Sequence, residues 1–243
     1  MGAFSYAWPY AAQTLKHVLL EKLEQYDTYA FLDSNGFYSN QPAHTTPIYS
    51  SYELVVGAGK RFELCPASAN RFEALKAWID DNPMWYFGHL GYDLKNELEE
   101  LSSDNLDYQG FPDLYGFIPE WVLTLTDGSI TLYTDSEEEA ESLKSYLIAA
   151  AATASVNNGV PSADEVVFHG ELTRTAYIQR VQALIDHIIA GDIYEVNFCQ
   201  AFSANNVELD PIQLYRVMMS VTPTPFACLY KFQDSYVISA SME

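Results

Sequence analysis

The segment Gly-Asp-Ile-Tyr-Glu-Val-Asn-Phe-Cys-Gln, residues 191–200, sets a carboxylate and an amide among apolar side chains. Its alternation predicts a β-strand with Glu195, Asn197 and Cys199 on one face. A glutamate that faces a cavity can donate or accept a proton, and an asparagine beside it can hydrogen-bond a substrate or the backbone. The alternative for Glu195 is an exposed carboxylate on an edge strand. Cys199 lacks a neighbour that would activate its thiol, so we expect it to be buried.

Metal and phosphate chemistry is disfavoured by the spacing of the relevant residues. The five histidines form no His-x-x-x-His pair, and the three cysteines, Cys65, Cys199 and Cys228, form no Cys-x-x-Cys pair. The sequence contains no glycine-rich phosphate-loop motif, and the Gly-Ala-Gly-Lys stretch at 57–60 predicts a hairpin turn instead.

The charge balance excludes several classes of partner. The sequence holds 33 acidic and 12 basic side chains, a net charge of -21, which would repel nucleic acid and anionic lipid surfaces. The amino terminus shows no basic segment followed by an apolar core, and no apolar run approaches the ~18 residues that span a bilayer. We therefore expect a cytoplasmic protein with reduced cysteines, without a nucleic-acid or membrane partner.

Hydrophobic periodicity predicts helices interleaved with pairs of strands. One hairpin is predicted around Asp127-Gly128, and another is predicted to join a strand at 52–59 to a strand at 60–66. Because hairpin-linked strands are antiparallel, the predicted fold class is α+β. Helices are predicted around Leu15 to Leu23 and at 71–83, 136–154 and 173–192, and further strands at 28–36 and 84–94.

Five stretches, in their order along the chain, resemble the motifs of one enzyme family. They are Phe-Leu-Asp-Ser-Asn at 31–35, Phe-Gly-His-Leu-Gly-Tyr-Asp-Leu at 87–94, Ala-Gly-Asp-Ile-Tyr-Glu-Val-Asn at 190–197, Thr-Pro-Thr-Pro-Phe at 222–226 and Ser-Ala-Ser-Met-Glu at 239–243. On these motifs the sequence is identified as a member of the chorismate-utilising enzymes, which include component I of aminodeoxychorismate synthase and of anthranilate synthase.

The resemblance implies a fold and a division of the chain. The family fold packs antiparallel sheets into a β-sandwich flanked by helices, and this sequence resembles its amino-terminal part only, incomplete at the C-terminus. We expect an N-terminal region at 1–155, a linker at 156–164 and the start of the chorismate-binding catalytic domain at 165–243. In the family the Mg²⁺ ligands follow the last motif matched here. This sequence is therefore expected to hold no metal ligand and to be inactive alone.

The resemblance also implies a reaction. The favoured function is component I of aminodeoxychorismate synthase, which converts chorismate and ammonia to 4-amino-4-deoxychorismate in folate biosynthesis, because the stretch at 91–101 is similar to that branch. The ammonia would come from a partner glutamine amidotransferase subunit, and Mg²⁺ would be the cofactor. Anthranilate synthase component I is the alternative enzyme, and isochorismate or salicylate synthase is a further rival. A non-catalytic module that binds tryptophan or docks a partner is the alternative of another class.

Positions in the family motifs imply roles for three residues. Glu243 is expected to be the general acid or base beside the leaving group at C4 of chorismate, although the proline of that motif is replaced by Met242. Glu195 stands where water-adding relatives carry a lysine base and ammonia-using relatives carry glutamine. The absence of lysine favours the ammonia-using branch. Asn197 is expected to contact the substrate or to hold the backbone.

A second site follows from the resemblance, a tryptophan pocket formed by the stretches at 31–35 and 222–226. A serine hydroxyl there would satisfy the polar groups of the ligand, and prolines and an aromatic ring would contact the indole. The alternative is that Asp33-Ser34-Asn35 only caps a turn. The expected pocket residues are Ser34, Tyr49, Ser50, Pro223, Pro225 and Phe226.

Overall fold

The computed structural model describes residues 1–37, 51–67, 70–102, 107, 109–154 and 166–242. Contacts between residues divide the chain into two units, a large one at Met1–Asn158 and Pro211–Glu243 and a small one at Gly159–Asp210. The contacts place the segment from Pro211 onward in the large unit. The functional division at 1–155 and 165–243 stays a prediction. The predicted linker at 156–164 lies outside the described residues.

The large unit contains most of the helices and strands. Its elements are β1 (Gly2–Ala7), α1 (Ala12–Leu23), β2 (Thr28–Asp33), β3 (Leu54–Ala58), β4 (Phe62–Leu64), α2 (Arg71–Asp81), β5 (Phe87–Leu90), a 3-10 helix (Tyr92–Glu97), β6 (Leu114–Ile118), β7 (Trp121–Thr126), β8 (Ser129–Thr134), α3 (Glu137–Thr153), α5 (Pro211–Val221), β11 (Phe226–Phe232) and β12 (Ser235–Ser241). The small unit contains β9 (His169–Gly170), α4 (Arg174–Ala190) and β10 (Phe202–Ser203).

Two antiparallel sheets form the large unit. The larger has seven strands in the order β1-β8-β7-β3-β2-β11-β12, and the smaller has three in the order β4-β6-β5. In the larger sheet Asp33 of β2 is paired with Leu54 of β3 on one side and with Ala227 of β11 on the other. The end of β2 is therefore next to a segment that lies far away in sequence.

Each face of the larger sheet is covered by a separate apolar cluster. On one face α1, α3 and α5 bury side chains such as Leu19, Leu147 and Tyr215 against the strands. On the other face the three-stranded sheet packs its aromatic residues, Phe87 and Phe117 among them. This arrangement confirms the predicted α+β class, with antiparallel sheets in a sandwich flanked by helices.

A glycine lies where the two sheets pack against each other. A Cβ atom at Gly57 of β3 would lie 2.4 Å from the ring of Phe87 in β5, so a side chain at this position requires the ring to move. Gly57 thus allows aromatic packing between the sheets, and it belongs to the Gly-Ala-Gly-Lys stretch that contains no phosphate-loop pattern.

Several local predictions are confirmed and one is wrong. The four predicted helices form as α1 to α4, and Asp127 and Gly128 have positive φ angles, 51° and 71°, at the turn between β7 and β8. The predicted hairpin between 52–59 and 60–66 does not form. β3 pairs with β2 and β7, whereas β4 pairs with β6 in the other sheet. Gly59, with φ of 75°, begins the change of direction between the sheets.

The small unit consists of one helix and a short strand pair. Thr173 caps the start of α4 by accepting a hydrogen bond from Ala176 N, and Gly191 ends the helix with φ of 83°. The strands β9 and β10 pair at Phe202 with Gly170 and at Ser203 with His169. No residue of α4 is buried.

Within the described residues, no helix combines the length and apolarity needed to cross a bilayer.

Candidate functional site

The turn after β2 contains Ser34, which the sequence predicts to line a ligand pocket. The chain leaves β2 at Asp33 and reverses through Asn35 and Gly36, whose φ angles are 49° and 83°. Left-handed backbone of this kind suits asparagine and glycine. The Asp33 carboxylate stabilises the turn by accepting a hydrogen bond from Asn35 N at 2.7 Å. We define the Ser34 cluster as Asp33, Ser34 and Asn35 with the residues that contact them, namely Lys16, Glu53, Met219 and Thr224.

A buried ion pair lies at the centre of the Ser34 cluster. Lys16 Nζ, from α1, is 2.8 Å from Asp33 Oδ1, and the two side chains are 7% and 4% exposed. The same ammonium is 3.5 Å from Glu53 Oε1, on a side chain that is 14% exposed. One cation is therefore shared by two carboxylates in a region with little solvent screening.

The Ser34 hydroxyl donates a hydrogen bond within the chain. Both Ser34 N and Ser34 Oγ donate to the carbonyl oxygen of Glu53, each at 3.0 Å. Asn35 Nδ2 donates to the carbonyl oxygen of Thr224 at 2.9 Å and is 3.3 Å from the sulfur of Met219. The turn, the residue before β3 and the residues before β11 are thereby tied together.

The structure brings the two predicted pocket stretches together. Because β11 lies beside β2, the stretch at 222–226 reaches Asn35. Pro225 is buried, whereas Pro223 and Phe226 are exposed. Ser34 is 3% exposed. Tyr49 and Ser50 lie outside the described residues, and a ligand role for any of these residues stays a prediction.

Helix α5 and the stretch that follows it contain buried polar atoms. The hydroxyl of Tyr215 and the Oγ1 of Thr224 are buried without a hydrogen-bond partner within the described part of the chain, as are Nε and Nη2 of Arg216. Burial raises the pKa of Tyr215, and the charge of Asp33 adds to the increase. Burial also raises the pKa of the Cys228 thiol to about 11. Both groups are thus neutral at physiological pH.

Lys16 was missed by the motifs, although the sequence contains a signal for it. Counted along α1, Lys16 precedes Leu19, Leu20 and Leu23 by three, four and seven residues, which places it on the apolar stripe of the helix. A lysine on such a stripe is rarely buried without a paired carboxylate. The pattern therefore indicated a buried ion pair but not its partner.

The segment 191–200 differs from its prediction. Residues 194–199 form no strand, because none of the described strands pairs with their backbone, and the short strand β10 begins later at Phe202. The expected alternation of faces is therefore absent. Glu195 and Asn197 are both exposed, and Tyr194 is 92% exposed.

Two further predictions concern this segment and the end of the chain. Cys199 is exposed, so the expectation that it is buried was wrong. The segment forms no strand pair with the described strands that would cover Cys199, whereas its neighbour Phe198 contacts the ring of Tyr177. Glu243 lies outside the described residues. Catalytic roles for Glu195 and Glu243 and a substrate contact for Asn197 remain predictions.

The start of the segment acts as a helix stop. Asp192 N donates to the carbonyl oxygen of His187, and the Asp192 carboxylate is 2.7 Å from His187 Nδ1. Both side chains are 60% exposed, so the pair is well solvated. Gly191-Asp192 therefore has a clear structural role at the end of α4.

Metal-ligating side chains do not cluster in the part of the chain that the structure describes. There, no group of three or more histidine, cysteine, aspartate or glutamate side chains is arranged to hold a metal ion. The Asp33 and Glu53 carboxylates are paired with Lys16 instead.

Comparison with known proteins identifies related sequences and a related fold. Residues 31–243 match the family described as chorismate binding enzyme. The chain is 31% identical over 177 residues to anthranilate synthase component 1 of Cereibacter sphaeroides and 29% identical over 161 residues to that of Thermus thermophilus. It is 24% identical over 169 residues to aminodeoxychorismate synthase component 1 of Bacillus subtilis.

These alignments involve only part of each relative. They cover 65%, 64% and 64% of this chain but 34%, 35% and 35% of the relatives, so the chain spans about a third of their length. The crystal structure of anthranilate synthase component I from Streptococcus pneumoniae TIGR4 superposes with a TM-score of 0.63 at 19% identity. That match covers 87% of this chain and 57% of the other, and it shows a shared fold.

Proposed function

This chain belongs to the chorismate binding enzyme family, and we propose that the protein containing it replaces a hydroxyl group of chorismate with an amino group from ammonia. The observation that supports this proposal is the family match over residues 31–243. The ammonia-using reaction is favoured because Glu195, and no lysine, stands at the position where water-adding relatives carry a base.

The specific reaction that we propose is that of aminodeoxychorismate synthase component I. In this reaction the C4–O bond of chorismate breaks, a C4–N bond forms, and the departing hydroxyl leaves as water after accepting a proton. Ammonia loses the matching proton as it becomes the amine. The support for this branch is the similarity of the stretch at 91–101 and the Bacillus subtilis relative.

Anthranilate synthase component I is the second candidate, and it has its own support. The Cereibacter sphaeroides and Thermus thermophilus relatives, at 31% and 29% identity, carry that name. The two reactions differ in atom balance. Anthranilate lacks the enolpyruvyl group of chorismate, which must leave as pyruvate, whereas 4-amino-4-deoxychorismate retains it.

Proton transfer at C4 of chorismate is proposed for two carboxylates. Glu195 lies on an exposed segment directly after α4, with Asn197 beside it, so both side chains are accessible to a bound molecule. We assign Glu195 and Glu243 to proton transfer and Asn197 to substrate contact. Truncation of a general acid or base lowers the rate about 100-fold or more.

Mg²⁺ is proposed as the cofactor, since a divalent cation can neutralise the carboxylates of chorismate. The described residues do not offer a site for it, because no suitable group of three side chains occurs among them. We therefore propose that its ligands lie outside the described residues.

A glutamine amidotransferase subunit is proposed as the partner that supplies ammonia. The proposal follows from the component I names of the relatives. The cysteine pattern supports a cytoplasmic location, where the thiols stay reduced.

The test uses the complete gene product that contains this chain, incubated with chorismate, ammonium chloride and Mg²⁺. We expect chorismate to be consumed without release of pyruvate. The mass of the product should differ from that of chorismate by the replacement of one hydroxyl group with one amino group. Pyruvate released in step with anthranilate would instead identify the second candidate. A product formed without ammonia, or no turnover, would overturn the proposed amination.

The role of Glu195 is tested separately. We expect Glu195→Ala to lower kcat/KM about 100-fold, whereas Glu208→Ala, an exposed glutamate in the same unit, leaves it unchanged. Equal activity of the two variants would remove Glu195 from the reaction and leave the amination itself intact.

A further inference from the structure

The Ser34 cluster has the groups that an amino-acid site needs, but one of those groups is already engaged. A free amino acid presents an ammonium, which a buried carboxylate binds, and a carboxylate, which hydroxyl and N–H donors bind. In this chain the Asp33 carboxylate already holds a cation, because Lys16 Nζ lies 2.8 Å from its Oδ1.

Both members of the ion pair are buried. The side chains of Lys16 and Asp33 are 7% and 4% exposed, and the second carboxylate, that of Glu53, is 3.5 Å from the same ammonium. Another ammonium within hydrogen-bond distance of Asp33 would lie beside Lys16 Nζ with little water to screen the repulsion. Lys16 and a ligand ammonium therefore compete for one position.

The donors of the turn itself, on Ser34 and Asn35, are engaged as well, whereas the Thr224 hydroxyl has no partner within the described residues. Ser34 Oγ donates to the carbonyl oxygen of Glu53 at 3.0 Å, and Asn35 Nδ2 donates to that of Thr224 at 2.9 Å. Asn35 N donates to Asp33 Oδ1 at 2.7 Å. A ligand carboxylate held by Ser34 or Asn35 would have to break these hydrogen bonds.

We propose that Lys16 is an internal occupant of this site and determines its specificity. Its ammonium takes the place that a free amino acid would need, so the protein does not bind tryptophan or another free amino acid at Ser34. The site instead fastens α1 to the turn after β2. This inference rests on the geometry of the cluster and not on the proposed reaction.

The first measurement is a titration of the wild-type chain with L-tryptophan. Calorimetry and thermal unfolding are expected to show neither binding heat nor a rise in Tm up to about 1 mM, because a ligand that binds only the folded state raises Tm with its concentration. Saturable binding of L-tryptophan by the wild-type chain would overturn the proposal.

The second measurement removes the Lys16 ammonium by mutation and supplies a small ammonium ion in its place. Lys16→Ala removes the equivalent of a propylammonium group, so n-propylammonium chloride is the matched probe. We expect it to raise the Tm of Lys16→Ala saturably, above the effect of sodium chloride at equal ionic strength. Lys16→Met, which fills the space with an apolar chain, and Lys76→Ala, at a side chain that is 78% exposed, should not respond.

The control variants make the second measurement decisive. A Lys16→Ala protein that responds to n-propylammonium no more than Lys76→Ala does would overturn the proposal. Where Lys16→Ala does not fold unaided, recovery of folded protein during refolding with n-propylammonium replaces the Tm. Recovery supports an ammonium site at Asp33, and failure to recover contradicts it.

Discussion

The Ser34 cluster and the segment 191–200 were both marked by motifs, but they differ in how their polar groups are satisfied. In the cluster, Asp33 and Ser34 are buried and hydrogen-bonded to other parts of the chain. In the segment, Glu195 and Asn197 are exposed to solvent. Stretches marked by the same kind of motif can therefore differ, because burial and counter-charge decide whether their polar residues form a closed cluster or an accessible surface.

The largest effect should come from breaking the buried ion pair. Asp33→Ala leaves Lys16 buried with only the more distant Glu53, and we expect the free energy of unfolding to fall by about 3–5 kcal/mol. Urea unfolding followed by tryptophan fluorescence measures it.

Asp192→Ala is the matched control for that change. Its partner His187 and its own side chain are each 60% exposed, so the free energy of unfolding should change by less than about 1 kcal/mol. Equal losses for the two variants would show that burial is not what distinguishes the two regions.

Thiol reactivity should next distinguish Cys228, which pairs with Leu32 beside the Ser34 cluster, from Cys199 of the segment. Burial raises the pKa of Cys228 to about 11, so little of its reactive thiolate is present at pH 8, whereas Cys199 is exposed. We expect iodoacetamide to label Cys228 about 100-fold more slowly than Cys199. Because the pKa is raised, labelling of Cys228 should accelerate as the pH approaches 11. Peptide mass spectrometry follows each site, and similar rates at pH 8 would contradict the expectation.

Substitutions at two glycines separate the effect of side-chain packing from the effect of backbone conformation. Gly57→Ala places a methyl group 2.4 Å from the Phe87 ring, and we expect the free energy of unfolding to fall by about 1–3 kcal/mol as the ring shifts. The additional change Phe87→Leu should recover part of the loss, because a smaller side chain makes room. No recovery would argue against a clash with the ring.

Gly191, in the segment 191–200, is the position at which backbone conformation alone should decide the effect of a substitution. A Cβ atom there meets nothing within 4 Å, but the residue has φ of 83°, so Gly191→Ala should cost about 1–2 kcal/mol through the backbone alone. Hydrogen exchange in the last turn of α4 measures it. Gly191→Asn should exchange more slowly than Gly191→Ala because asparagine tolerates this conformation, and the reverse order would contradict the explanation.

Local features of the fold were predictable from the sequence. Helices α1 to α4 follow from apolar spacing, and the turn between β7 and β8 follows from Asp127-Gly128. These signals lie within short windows, where period and turn chemistry determine the outcome. The contact between the turn after β2 and the stretch at 222–226 was predictable only through the family motifs, because no local pattern joins residues so far apart.

The pairing of strands and of charged residues was not predictable in the same way. The strands β3 and β4 carry the pattern of a hairpin but join different sheets. No local pattern determines which strand each of them pairs with, or the direction in which the chain continues after Gly59. Likewise, residues 194–199 alternate as a strand does, yet no described strand pairs with them. Lys16 showed that a buried ion pair was needed without showing that Asp33 completes it.

The smallest effect should come from the helix caps, which occur in both units. Ser136 accepts a hydrogen bond from Glu139 N at the start of α3, and Thr173 accepts one from Ala176 N at the start of α4. Each substitution by alanine should cost about 1 kcal/mol. The local consequences should differ, because α3 buries Ala140 in its first turns whereas α4 buries no residue. Thr173→Ala should therefore speed hydrogen exchange in the first turn of its helix more than Ser136→Ala does. Equal acceleration would mean that tertiary burial does not hold the first turn of α3.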